Sequence, residues 1–105
     1  MGRKKHIIEV LEDFKKETSK KIPISKIIFF GSRVTGKPRE YSDIDMIVVS
    51  RKFKGMKFRE RVTQMYDYWN LYYPVDFLCY TPEEFEKKKT MGGIVREAVV
   101  NGIEI

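Results

Sequence analysis

The sequence predicts a small α/β (α+β) domain, a mixed β-sheet flanked by helices. Three observations lead there. Short apolar runs at Ile27–Phe30, Met46–Val49 and Val75–Tyr80 have the length and residue types of strands. Segments with apolar residues three and four apart alternate with them, as in amphipathic helices. At 105 residues the chain has room for one core and little more, so residues 1–105 are read as a single domain.

Element by element, Lys4 to Lys20 reads as a helix with Ile7, Ile8, Leu11 and Phe14 on one stripe, followed by a connector around Pro23. Lys26–Phe30 is a short strand that stops at Gly31, where a brief helix starts and ends near Gly36. Asp43–Ser50 is the clearest strand, with a continuous apolar run as expected of a strand covered on both faces. Lys57 to Tyr72 is read as a helix on the spacing of Phe58, Val62, Met65, Tyr66, Trp69 and Tyr72, and Pro74 closes it. Val75–Tyr80 is the third strand. Thr81-Pro82-Glu83-Glu84 is a helix start, with Thr81 as N-cap, Pro82 at the first position and Glu84 completing a capping box. Gly92-Gly93 breaks that helix, and Ile94–Val99 forms a last one, stopped by Asn101-Gly102. Ile103–Ile105 is an edge strand or a loose tail.

Composition narrows the chemistry. Cys79 is the single cysteine and His6 the single histidine, which removes disulfides, Ser-His-Asp and Cys-His catalysis, and zinc sites of Cys or multiple His. Catalysis must rest on carboxylates, hydroxyls, Lys and Arg. The formal charge of +6 suits an anionic partner, nucleotide or nucleic acid, or a solvated charged surface. No run approaches the roughly 18 apolar residues of a membrane span, and the N-terminus lacks a signal-peptide pattern. The expectation is a cytoplasmic protein without a membrane partner.

The chemistry concentrates between Phe30 and Met46. Asp43 and Asp45, two residues apart on a strand, point the same way, with Cα atoms roughly 6.5 Å apart. Two carboxylates so placed repel each other and call for a cation, supplied by Arg33, Lys37, Arg39 or a divalent metal. They can converge on a Mg²⁺. Gly31-Ser32, at a strand-to-helix turn, offers backbone N–H groups and a hydroxyl to a phosphate, with Arg33 and Lys37 to neutralise charge. Asp76, an acid within an apolar strand, lies opposite Val75, Phe77 and Cys79 in the alternation. If its strand neighbours that of Asp43, Asp76 reaches the same site. Three carboxylates beside a phosphate-binding turn suit metal-assisted phosphoryl or nucleotidyl transfer.

Gly31-Ser32-Arg33, ten residues after Ser32, then Asp43-Ile44-Asp45-Met46 resembles the signature of the DNA-polymerase-β-like nucleotidyltransferase superfamily, in particular its minimal (MNT) members. The resemblance implies the polymerase-β palm-like fold and transfer of a nucleoside monophosphate, AMP from ATP foremost, to an acceptor hydroxyl with loss of pyrophosphate. Two Mg²⁺ ions would be held by Asp43, Asp45 and Asp76, with Asp76 helping to activate the hydroxyl. Gly31 and Ser32 would hold the triphosphate, and Arg33, Lys37 and Ser42 complete the nucleotide-binding set. It further implies an antitoxin paired with a helical HEPN-type toxin, which some such proteins neutralise by adenylylating it. Larger relatives continue into domains that grip the acceptor or base, so the resemblance leaves the acceptor open.

Three other readings compete. An inactive module of the same fold could only sequester its partner. An RNA-binding module could use Arg51, Lys52, Lys54, Lys57, Arg59 and Arg61, although no single-strand-binding motif accompanies them. Gly31–Lys37 also reproduces the first seven positions of a P-loop, but Pro38 stands where the Mg²⁺-binding hydroxyl belongs.

Overall fold

The computed structural model describes residues 2–35 and 43–105. The elements run α1 (Gly2–Thr18), β1 (Lys26–Phe30), α2 (Ser32–Thr35), β2 (Ile44–Val49), a 3₁₀ turn (Arg51–Phe53), α3 (Phe58–Tyr68), β3 (Val75–Tyr80), α4 (Pro82–Lys88), α5 (Ile94–Asn101) and β4 (Ile103–Glu104). Among the described residues four strands form one mixed sheet in the order β3-β2-β1-β4. β1 runs antiparallel to both β2 and β4, and β2 runs parallel to β3. A P-loop needs a strand in a parallel βαβ unit. β1 has no parallel neighbour, so that reading is set aside.

Alternation along the strands separates two cores. Ile27, Phe29, Ile44, Met46, Val48, Val75, Phe77 and Cys79 pack with Ile7, Leu11 and Phe14 of α1 and Met65 of α3. Ile28, Ile47, Val49 and Tyr80 pack with Phe85 of α4 and Val95 and Ala98 of α5. β2 is buried on both faces, which is why Met46–Val49 is apolar at every position. Each fully buried Ile, Leu or Phe here removes enough apolar surface to contribute roughly 1.5–3 kcal/mol.

Local signals act as the sequence implies at α4. The Thr81 Oγ1 accepts from the Glu84 N–H at 3.2 Å, and Glu84 Oε1 accepts from the Thr81 N–H at 2.9 Å. Ile103–Glu104 is the edge strand, paired with Ile28 and Phe29, and the Ile105 N–H adds a bond to the Ile27 carbonyl at 2.8 Å. Two readings are corrected. Helix α3 ends at Tyr68, and Tyr72 stands fully exposed beyond it, because Pro74 and the turn into β3 bend the chain away first. Arg61 is buried on the inner face of α3 and not on a basic surface. It forms a two-pronged pair with Glu84 at 2.6 and 3.2 Å and also donates to the carbonyls of Met56 and Cys79. That takes Arg61 out of any RNA-binding cluster.

Candidate active site

The site lies at one end of the sheet, where β1 finishes and β2 and β3 begin. Parallel pairing sets Asp45 directly opposite Asp76, and antiparallel pairing sets Asp45 opposite Phe30, next to Gly31. Alternation turns both carboxylates toward the face that carries α4 and α5. Asp43, exposed, precedes β2 by one residue and lies close enough to act on Asp45 electrostatically. Burial pushes the Asp45 carboxyl above its ordinary range, and the charges of Asp76 and then Asp43 push it further. Like charges held together in this way attract a cation.

Gly31 is what allows Asp45 its position. Its φ is +91°, and a Cβ there would collide with Asp45 Oδ2. The positive φ turns the chain out of β1 and into α2, where Ser32 is exposed at the first position and the Val34 N–H returns to the Gly31 carbonyl at 3.0 Å. The Arg33 guanidinium lies 5.9 Å from the centre of the Tyr73 ring, a cation–π contact. Lys4 of α1 donates to the Val34 carbonyl at 3.2 Å, tying the N-terminal helix to the same turn. Lys37 and Ser42, also expected in the nucleotide-binding set, lie outside the described residues.

Among the described residues no group of three acid, histidine or cysteine side chains closes around a point as a ready metal cage. The donor chemistry nonetheless fits Mg²⁺. This ion keeps several waters and takes one or two carboxylates plus substrate phosphates in place of an all-protein cage. Asp45 and Asp76, oxygen donors only and repelling each other, are such a pair.

Other side chains near the acids carry no local sequence signal. Tyr66, spaced as a core residue of α3, is half-exposed and donates its hydroxyl to the Val75 carbonyl at 2.7 Å. Burial, then Asp76 and Asp43, push its hydroxyl above the usual tyrosine range. On the other side of Asp45, Phe30, Gly31, Ile94, Glu97, Ala98 and Asn101 join it around a cavity of about 250 Å³. Only the docking of α5 onto the sheet brings these groups to the acids.

Comparison with known proteins agrees with this geometry. The family model of the nucleotidyltransferase domain matches residues 11–104. MJ0141 of Methanocaldococcus jannaschii, named as a protein adenylyltransferase, is 28% identical over 71 residues, covering 66% of this chain and 72% of that protein. MntA of Haemophilus influenzae, also named as a protein adenylyltransferase, is 32% identical over 68 residues, or 63% of this chain. The chain spans 60% of MntA's length. A crystal structure of a nucleotidyltransferase from Sulfolobus solfataricus shares the fold with a TM-score of 0.63 at 22% identity, over 78% of this chain and 73% of that one. With the match running through nearly the whole sheet and both halves of the Gly-Ser and Asp-Ile-Asp motif, this chain belongs to the nucleotidyltransferase domain family, among its minimal members, and is an enzyme of that class.

Proposed function

We propose that this chain transfers AMP from ATP to a side-chain hydroxyl of a partner protein, releasing pyrophosphate. The observation that carries the reading is the direct opposition of Asp45 and Asp76 across β2 and β3, with the Asp45 carboxylate packed against Gly31. The names of MJ0141 and MntA support the choice of AMP and of a protein acceptor. The partner that fits the family resemblance is a helical HEPN-type toxin, with this chain as its antitoxin.

In this reading Asp43, Asp45 and Asp76 would hold Mg²⁺, two ions in the full complement. When bound, the metal would supply charge neutralisation at the α-phosphate and lower the pKa of the attacking hydroxyl. Gly31 and Ser32 bind the triphosphate through backbone N–H groups and the Ser32 hydroxyl, with Arg33 and Lys37 as countercharges and Ser42 beside the acids. Asp76 receives the proton of the acceptor hydroxyl as its oxygen bonds to the α-phosphorus. The bond from that phosphorus to the bridging oxygen of pyrophosphate breaks, and the electron pair leaves with pyrophosphate. The chain's surplus of positive charge steers the anionic nucleotide inward.

The test is incubation with α-phosphate-labelled ATP and Mg²⁺, in lysate or with a co-purified partner, beside the double variant Asp43→Asn/Asp45→Asn. Label on a protein with wild type and none with the variant is the expected result. No label, together with no Mg²⁺-dependent nucleotide binding, refutes the transferase reading and leaves a module that only binds its partner.

A further inference from the structure

The cavity beside Asp45 has two unlike walls. One is the end of β1 and β2, with Phe30, Gly31 and Asp45, and the other is a stripe of α5 made by Ile94, Glu97, Ala98 and Asn101. Those four positions are spaced i, i+3, i+4 and i+7, so a single helix face presents them. α5 holds that face firmly. Val95 and Ala98 are buried against the sheet, and the Gly102 N–H returns to the Ala98 carbonyl at 2.7 Å. A Cβ at Gly102 would run into the carbonyls of Ala98 and Phe29 and the Ile28 side chain, so glycine sets how closely α5 approaches β1.

The charges divide a nucleotide between these walls. Among the described residues no cation lines the cavity, and Glu97 joins Asp45 in giving it an acidic wall that disfavours phosphate. The Arg33 guanidinium lies against the Tyr73 ring and is not among the described residues that line the cavity. What is left for the α5 side is the uncharged part of the nucleotide. Its volume of about 250 Å³ is below that of pockets enclosing a whole drug-sized ligand, roughly 300–1,000 Å³, and suits a sugar with part of a base. A carboxylate only accepts, and it can accept from two adjacent hydroxyls at once. Acids bind ribose in this manner in dinucleotide-binding folds.

We infer that this cavity is the ribose subsite, with Glu97 accepting from the 2′- and 3′-hydroxyls and Asn101 offering an amide donor and acceptor beside it. Glu97 is therefore the residue by which the enzyme distinguishes ribonucleotides from deoxyribonucleotides. This rests on the transferase reading above.

The experiment is equilibrium binding of Mg²⁺ with ATP and with dATP to the whole chain, to Glu97→Ala and isosteric Glu97→Gln, and to Glu9→Ala as an exposed charge-matched control on α1. Circular dichroism checks the fold of each. Wild type and the control are expected to prefer ATP by roughly tenfold, the scale of one hydrogen bond to a charged group. Both Glu97 variants are expected to lose that preference, ATP binding weakening roughly tenfold more than dATP binding, which has only the 3′-hydroxyl contact to lose. Equal binding of ATP and dATP by wild type, or a preference kept in both Glu97 variants, overturns the ribose assignment and leaves the transferase reading standing. Binding of neither nucleotide by wild type overturns both.

Discussion

Replacing Gly31 by alanine tests the link between backbone and acid, because the structure supplies its own control. Gly31 and Gly55 both have positive φ, +91° and +80°. A Cβ at Gly31 would meet the Asp45 carboxylate, while one at Gly55 would meet nothing within 4 Å. The strain of an L-residue at positive φ is roughly 1–2 kcal/mol and applies to both. The entropy that alanine removes from the unfolded chain, about 0.4–1 kcal/mol, also applies to both and cancels in the comparison. Only Gly31→Ala adds overpacking, typically about 1–3 kcal/mol, and it must turn the Asp45 carboxylate out of its place beside Gly31. At about 4–8 °C per kcal/mol for a domain of this size, Gly31→Ala should melt at least about 4 °C below Gly55→Ala. Differential scanning calorimetry measures the first effect, and label transfer from ATP the second. Gly55→Ala should keep full transfer, and Gly31→Ala should lose most of it. Equal melting temperatures with unimpaired transfer in both variants would show that Gly31 has no part in seating Asp45.

Asp45→Asn should stabilise the metal-free protein at neutral pH by about 0.5 kcal/mol, since it removes a like charge directly opposite Asp76. Because the folded protein holds the Asp45 carboxyl above its ordinary range, its charged form destabilises the fold above that folded value, and the variant's gain should fade as pH falls through it. Mg²⁺ should then raise the melting temperature of wild type and leave Asp45→Asn unmoved. Glu84→Ala strands the buried Arg61 guanidinium and should cost about 2 kcal/mol in urea unfolding, with Arg61→Met closer to neutral. The hydrogen bond from Arg61 holds the Glu84 carboxyl below its ordinary 4.5, so its stabilisation is full above that value and is lost as pH falls through the lower folded one. Wild type should therefore lose more stability than Glu84→Gln as pH falls below 4.5, and an equal loss in both would contradict this. Cys79 is buried and its thiol is pushed up to about 12, so a thiol reagent at neutral pH should label it only on unfolding.

The parts of this protein legible in its sequence are those set by short-range physics. The capping box at Thr81–Glu84 acts within one helical turn, and the apolar runs that mark β1, β2 and β3 are each contained in a single strand. Gly31-Ser32 and Asp43-Ile44-Asp45 could be read together because they fall in one short stretch joined by a single turn. Beyond local cues the pattern misleads. The helical spacing of Phe58 to Tyr72 persists on paper beyond Tyr68, yet the turn into β3 ends the helix earlier and exposes Tyr72. Arg61 looked like one more cation in a basic stretch. Its burial depends on Glu84, 23 residues away, which no local pattern discloses.

The sequence by itself determined which residues could do chemistry, because it left carboxylates as nearly the sole means and put two of them one strand-step apart. Tertiary structure alone decided that Asp76 faces Asp45, since sheet order and parallel register are settled by how α3 crosses between β2 and β3. It alone brought Tyr66 to the acids and set Glu97 and Asn101 across from Asp45. The reason is physical. Side-chain direction within an element follows from its own dihedral angles, but the partner it faces depends on packing between segments far apart in the chain.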